Sequence, residues 1–490
     1  MREDVRVQIT PLLQPAGIDR LRAALSAANY TRQGVEDRLG HEAQDALSRN
    51  DFRPALRILG DEPLDVLIKL YVCGQTCDRD AVERALPVAD CVEGGLLEPV
   101  PGGLRAGVDL HPYEDWWLIA DAPELLRPGQ PLRADHVLGV GGASNTLALA
   151  TVRPKVATAL DLGTGCGVQA LHLSTHAQHV TGTDLSERAL RFAATTAALN
   201  GMDWELLYGD MTKPVAGRRF DLVVSNPPFV IGPGEGSHIY RDSGRPADGI
   251  CAELAGRADE LLTEGGHLQF LANWAHVEGE PWQERVASWL AGTHVDGWVI
   301  QREVTDPVSY VQLWLRDSGD QFDAQRAAAW LDWFDEQRIE AVGFGMISLR
   351  KRSTGGFPRV RIEDLHQEIE QPFGARVLDW FDRQDFLRTT PLLGARFTAA
   401  PDLRLYSEAE AGPEGWETVR RTLAQTSGLH WTEAVDEATA ALVASSTGDL
   451  TLADQLGLLA VAHGLDEEEL AAAAVPVVAN LVERGFLDYS

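Results

Sequence analysis

The sequence predicts an α/β protein with a doubly wound sheet at its centre, and three observations carry that prediction. Between residues 157 and 350, short apolar runs alternate with amphipathic stretches of helical length, the rhythm of strand and crossover helix. Three successive runs, at 157–161, 179–184 and 205–209, each end in or run into an acid: Asp161, Asp184 and Asp210. The first passes directly into Gly163-Thr164-Gly165-Cys166-Gly167, which opens a helical stretch over 168–176. Strand, glycine turn and helix in that order bring backbone close under a ligand.

Each element follows from its local pattern. Residues 18–39 carry two helical patterns broken at Gly34 and Gly40, 64–70 begin another helix, and Asp78 caps a further one over 79–86. Residues 95–105, rich in glycine and proline, read as a β-hairpin. Helices followed by a hairpin predict a winged-helix-like N-terminal domain over residues 1–108. The middle domain, 109–352, holds seven strands at 157–161, 179–184, 205–209, 220–225, 267–273, 294–304 and 339–350, with helices at 186–199, 250–262 and 282–290 among them. Asp306 and Pro307 cap a helix over 310–316 and a second helix spans 323–337, so two helices are inserted before the last strand. In the C-terminal region, 353–490, helices at 452–459, 466–472 and 475–484 end at Gly485-Phe486-Leu487, again a mostly helical, winged-helix-like pattern.

The fourth strand, 220–225, ends in Asn226-Pro227-Pro228-Phe229. An amide or exocyclic base nitrogen is a poor nucleophile because its lone pair is delocalised into the adjoining π system, so a site that uses one must hold both of its hydrogens. The side-chain oxygen of Asn226 and the carbonyl of Pro227 are two acceptors suited to that task. Pro227 and Pro228 fix φ and offer no competing N–H, and Phe229 gives a flat face for a base or an amide plane. A strand that merely ends in a turn would show similar prolines. The acids and glycines at neighbouring strand ends decide for a site, since ligands of open α/β sheets bind at the carboxyl ends of the strands.

The glycine turn lacks the spacing of a dinucleotide fingerprint and the Gly-Lys-Ser/Thr of a phosphate loop, which predicts a ligand without phosphates. Asp184 is placed for two ribose hydroxyls and Asp210 for an adenine amino group. With these motifs in this order, residues 131–274 resemble the class I S-adenosylmethionine-dependent methyltransferases. Within them the chain is similar to the Asn-Pro-Pro-aromatic group: HemK-type glutamine N5-methyltransferases of release factors, ribosomal-protein glutamine methyltransferases, and adenine-N6 or guanine-N2 methyltransferases of nucleic acids. The resemblance implies a Rossmann-like sheet with an antiparallel last strand, S-adenosyl-L-methionine as cofactor, and no metal. It implies that Gly163, Thr164, Gly165 and Gly167 underlie the cofactor, with Asp161 the acid that opens the glycine motif. It gives the ribose to Asp184 with Leu185, the adenine edge to Asp210 with Met211, a cofactor contact to Asn226 as well, and the transfer itself to Asn226, Pro227, Pro228 and Phe229. In Ala143-Ser144-Asn145-Thr146, Thr146 alone matches the Asp-Thr pair that HemK-like enzymes place beside the cofactor. The glycine-rich loop from Gly232 to Gly244 resembles theirs in its Gly-Ser-His, and carries His238, Tyr240 and Arg241 where an acceptor would enter.

Composition bears on partners. The net charge of −30 repels phosphates unless charge is segregated. That puts a glutamine of a translation-related protein, a release factor or ribosomal protein, ahead of an adenine or guanine in rRNA, other RNA or DNA. Phenylalanine as the aromatic residue, frequent among ribosomal-RNA methyltransferases, points the other way. A non-catalytic cofactor-binding scaffold is the rival of a different class, and the intact Asn226 argues against it. The acidic C-terminal region suits docking of a basic partner. Five scattered cysteines (Cys73, Cys77, Cys91, Cys166, Cys251) read as core residues in a reducing, cytoplasmic compartment, and no apolar run approaches the length of a membrane helix.

Overall fold

The computed structural model describes residues 9–127, 133–233, 244–317, 322–352, 357–413 and 415–489. The chain opens with six helices, α1 (Pro15–Ala27), α2 (Arg32–Ser48), α3 (Arg53–Ile58), α4 (Pro63–Leu67), α5 (Arg79–Ala85) and α6 (Val88–Glu93). Two antiparallel hairpins follow, β1 (Leu97–Val100) with β2 (Gly103–Ala106), and β3 (Asp109–Tyr113) with β4 (Trp116–Ala120). Thr31 and Asp78 cap α2 and α5, their side chains accepting from the N–H groups of Gly34 and of Asp80 and Ala81. The first hairpin matches the expected one; the second lies where the sequence pattern predicts no element.

Next come α7 (Gly142–Ala150), β5 (Val156–Leu162), α8 (Val168–Leu173), β6 (Ala177–Asp184), α9 (Glu187–Leu199), β7 (Trp204–Tyr208) and β8 (Phe220–Ser225). They are followed by α10 (Gly249–Gly256), α11 (Ala258–Leu261), β9 (Leu262–Val277), α12 (Trp282–Trp289), β10 (Val295–Thr305), α13 (Pro307–Asp317), α14 (Ala324–Glu336), β11 (Ile339–Lys351) and β12 (Val360–Asp364). The strands form one sheet in the order β12-β10-β11-β9-β8-β5-β6-β7. β11 runs antiparallel to β9 and β10, and the other pairs are parallel. β8, Phe-Asp-Leu-Val-Val-Ser, is buried at every position but Asp221, as a strand covered on both faces must be. The seven expected strands, the antiparallel one and the two-helix insertion before it are all present.

Two boundaries read differently in the structure. Residues through 148 and 154–364 form one compact unit, so the residues up to 108 pack with the sheet domain rather than standing apart from it. The cause is α9, which buries nine of its thirteen residues and so needs cover beyond the sheet. Leu12 N–H donates to Thr195 Oγ1 (2.8 Å), Arg22 Nε to the Leu199 carbonyl (2.9 Å), and Ile119 N–H to Thr196 Oγ1 (3.3 Å). The middle domain also runs past 352, because β12 adds an eighth strand parallel to β10. That strand is half exposed, so no apolar run reveals it.

The second unit comprises 149–153 and 365–490. It contains α15 (Gly374–Thr389), β13 (Arg396–Ala399), β14 (Leu403–Gly412), β15 (Gly415–Gln425), β16 (Thr432–Ala434), α16 (Glu437–Ser445), β17 (Thr447–Thr451), α17 (Leu452–His463), α18 (Glu467–Glu483) and β18 (Leu487–Tyr489). Thr451 and Asp454 form a capping box on α17. The helices expected at 466–472 and 475–484 are one helix, α18, which carries Pro476 inside it; the proline forfeits one intrahelical bond without ending the helix. To the expected helices the structure adds two three-stranded sheets, β17-β13-β18 and β14-β15-β16. β14 is exposed along most of its length, so the buried alternation that marks a strand is absent. All five cysteines are buried free thiols, and no helix among the described residues is long and apolar enough to cross a membrane.

Candidate active site

The order β8-β5-β6-β7 sets four parallel carboxyl ends side by side, and a cavity of about 810 Å³ opens over them. Asp161 and the glycine turn come from β5, Asp184 from β6, Asp210 from the turn after β7, and Asn226 from the end of β8; all line the cavity. The turn is pinned to β6 by two bonds to the Thr183 carbonyl, from Gly163 N and Thr164 N, both 2.9 Å. Gly163, Gly165 and Gly167 all have positive φ (72°, 56° and 92°), a backbone that other residues enter only with strain. Their roles differ. A Cβ on Gly163 or Gly165 would meet nothing within 4 Å, so these two face the open cavity, whereas one on Gly167 would lie 2.6 Å from the Trp204 ring.

The three acids sit in different fields. Asp161 is fully buried; one oxygen, Oδ2, accepts from Thr164 Oγ1 (2.7 Å) and Ala170 N (3.1 Å), while Oδ1 has no partner. Burial pushes its carboxyl up to about 7, against the pull of those bonds and with the help of the nearby Asp184 charge. Burial also raises Asp184, partly offset by backbone donors: Gly165 N binds its Oδ2 (2.9 Å) and Ser186 N its Oδ1 (2.8 Å). Asp184 therefore braces the glycine turn and caps the approach to α9 at once. For Asp210 burial opposes the charge, but Lys213 (2.7 Å) and Arg245 (3.3 Å) outweigh it and hold the carboxyl below its ordinary range. The expected adenine acceptor thus lines the cavity with both neighbouring cations already on it.

Asn226 follows Ser225, whose hydroxyl donates to the Leu162 carbonyl (2.8 Å) and ties the end of β8 to β5. The Asn226 Oδ1 is buried without a hydrogen-bond partner. Pro227, Pro228 and Phe229 line the same cavity. Leu185 is 46% exposed and, with Met211, forms part of the wall. Thr164 is buried under the turn, bonded to Asp161. Thr146 departs from expectation: it is exposed, and the residues of α7 at the cavity are Gly142, Ala143 and Ser144. Position 146 lies one helical turn beyond Gly142, further along α7 than the three residues that line the cavity. His238, Tyr240 and Arg241 lie outside the described residues.

Several cavity residues escape the motif reading. Asp121 ends the apolar strand β4, the same signature as Asp161 and Asp184; it takes Arg188 Nε (3.0 Å) and Val137 N (2.9 Å). His111 binds Asp109 (3.0 Å); burial opposes its protonation, but Asp109 wins and raises its pKa. Trp314, from the inserted α13, and Arg245, at the end of the loop, complete the lining, and no spacing rule marks either.

A family profile described as methyltransferase small domain matches residues 140–281, and two described as domains of unknown function match 27–107 and 378–488. The chain is 35% identical over 114 residues to ribosomal RNA small subunit methyltransferase C of Alcanivorax borkumensis, covering 23% of this chain and 31% of that protein. To the protein of the same description from Salmonella heidelberg it is 32% identical over 222 residues, 43% of this chain and 59% of that one. The chain thus spans 31% and 59% of the length of these two relatives. A solved T. thermophilus 16S rRNA N2 G1207 methyltransferase in complex with AdoMet and guanosine aligns with a TM-score of 0.24 at 18% identity, over 41% of this chain and 46% of that one.

The residues present fit S-adenosylmethionine. Gly163 and Gly165 offer a bare backbone face, Asp161 Oδ1 and Asn226 Oδ1 are buried acceptors awaiting donors, and the wall of aspartates, with Asp109, Asp121 and Asp135 beside Asp161 and Asp184, matches a ligand that carries positive charge. The methyltransferase small domain matched over residues 140–281 holds the glycine turn, the acids at successive strand ends and the Asn-Pro-Pro-Phe, and in these it is similar to the S-adenosylmethionine-dependent N-methyltransferases.

Proposed function

We propose that this chain methylates an exocyclic NH2 group of a purine in ribosomal RNA. The observation that carries the reading is the Asn226 Oδ1: a buried carboxamide oxygen with no partner, in one cavity with the bare face of Gly163 and Gly165. A buried acceptor left unpaired costs about 1–3 kcal/mol, a cost that an incoming N–H relieves. The relatives, named for ribosomal RNA, favour a base over the glutamine side chain that the charge of the chain puts first. The acidity also has a local use, since the aspartates of the cavity wall suit a cationic cofactor rather than repel a phosphate.

When bound, the cofactor supplies a methyl carbon already activated on a sulfonium. The work left to the chain is to align the acceptor nitrogen and keep water away. Asn226 Oδ1 and the Pro227 carbonyl accept the two N–H bonds and hold the nitrogen lone pair towards the methyl group. Pro227 and Pro228 keep that pair of acceptors rigid, and the Phe229 face supports the base plane. The nitrogen is a strong acid once methylated and gives up its proton without a dedicated base.

The test is to incubate the purified chain with methyl-labelled S-adenosylmethionine and small ribosomal subunits or their naked RNA, then to digest both RNA and protein for mass spectrometry. Label on the exocyclic nitrogen of a purine nucleoside is expected. Label on a glutamine would return the acceptor to a protein, and tight cofactor binding with no label in either would favour a scaffold.

A further inference from the structure

We propose that the two helices inserted before β11 belong to the active site: they fix the Asn226–Phe229 turn through the backbone of Ile231, with Tyr310 as the positioning residue. The inference rests on the reading of Asn226 as the group that holds the acceptor.

Ile231 is fully buried, so both of its backbone polar groups need partners. Its N–H donates to the Tyr310 hydroxyl of α13 (2.8 Å), and its carbonyl accepts from Trp330 Nε1 of α14 (3.1 Å). The partners lie 79 and 99 residues further along the chain. The Tyr310 hydroxyl also accepts from Asn273 Nδ2 of β9 (2.8 Å), which ties it to the sheet rather than to the insertion alone. Against Gly232 the Trp330 indole sits so close that a Cβ there would lie 3.2 Å from its nitrogen. One helical turn beyond Tyr310, Trp314 packs edge-on against Phe229, with ring centroids 6.3 Å apart, and lines the cavity. A single helix thus grips the chain after the turn and walls the cavity beside it.

The segment from Asn226 to Ile231 contains two prolines and is short, so displacement at Ile231 carries to Asn226 Oδ1 and the Pro227 carbonyl. Misplacement of about 1 Å at a reacting group costs roughly 10²-fold in rate. Plain core packing would use the same rings, but needs neither the hydroxyl of Tyr310 nor the N–H of Trp330 aimed at one residue.

Tyr310→Phe removes only the hydroxyl. Three measurements read it: cofactor affinity by calorimetry, single-turnover transfer to rRNA at saturating acceptor, and the side-chain amide resonance of Asn226 in 15N-asparagine-labelled protein, assigned by its loss in Asn226→Ala. Expected are a cofactor Kd within twofold of the parent, a transfer rate down roughly 10–100-fold, and a shifted or broadened Asn226 resonance. Trp330→Phe, which keeps a ring but not the donor, should move the same two readouts and serves if Tyr310→Phe does not fold. An unchanged Asn226 resonance with an unchanged rate, whatever happens to the melting temperature, overturns the proposal. Should the parent chain methylate no rRNA, the acceptor reading fails by itself, and the Asn226 resonance alone decides for or against the clamp.

Discussion

On one side of the cavity, Asp161, Gly163, Gly165 and Asp184 come from two adjacent parallel strands and the turn between them, and they brace one another: Gly165 N binds Asp184, Thr164 binds Asp161. On the other side, Asn226 to Ile231 leave β8 and are held by Tyr310 and Trp330, side chains from helices that enter the fold after two further strands. The cofactor side is local in sequence and self-supporting. The acceptor side is assembled from distant segments. Cofactor binding and acceptor positioning should therefore fail separately when residues are changed.

The largest effect expected on the cofactor side belongs to Asp184→Ala. It removes a charged acceptor and frees Gly165 N–H, and charge-assisted bonds of this kind contribute about 1.5–3 kcal/mol, or roughly 10–100-fold in affinity. Calorimetry checks it; an affinity within twofold of the parent would show that the ribose assignment is misplaced. A smaller effect is carried by pH. The Asp161 carboxyl titrates at about 7 in the folded chain, against about 3.9 when unfolded. Within that window the folded state holds the extra proton, so stability falls as pH rises towards 7. A cationic ligand favours the carboxylate, so cofactor affinity should rise between pH 6 and pH 8, by less than tenfold per unit. Asp161→Asn should flatten much of the profile; an undiminished slope in that variant would contradict the assignment. The smallest effect is at Thr146, exposed and away from the cavity: Thr146→Ala should leave cofactor affinity within twofold, and a larger loss would put α7 in a different register.

What could be read from the sequence follows the same division. The seven strands, the glycine turn, the acids at strand ends and Asn226 are legible because each rests on spacing within about ten residues, where periodicity and turn chemistry act. Asp121 carries the same signature, an acid ending an apolar strand, but in a hairpin the pattern did not reveal. Trp314 and Tyr310 show only the 3.6-residue period of an amphipathic helix, which marks a buried face and says nothing of what it is buried against. The partially exposed β12 and the solvated β14 lack any apolar run, so the sheet edge and the long C-terminal hairpin leave no trace in periodicity. The resemblance points to Thr146 at one position, but only the first turn of α7 reaches the cavity, and where a helix begins relative to a pocket leaves no trace in local spacing.

The central claim is that Asn226 organises the acceptor and not the cofactor. Its most direct test is Asn226→Ala, measured twice: cofactor affinity by calorimetry, and methyl transfer to ribosomal RNA in a single turnover. Transfer should fall by roughly 10²–10³, as on loss of a group that stabilises a transition state, while the cofactor Kd changes by no more than a few-fold. Transfer as fast as in the parent, or a loss explained entirely by weaker cofactor binding, would contradict the account.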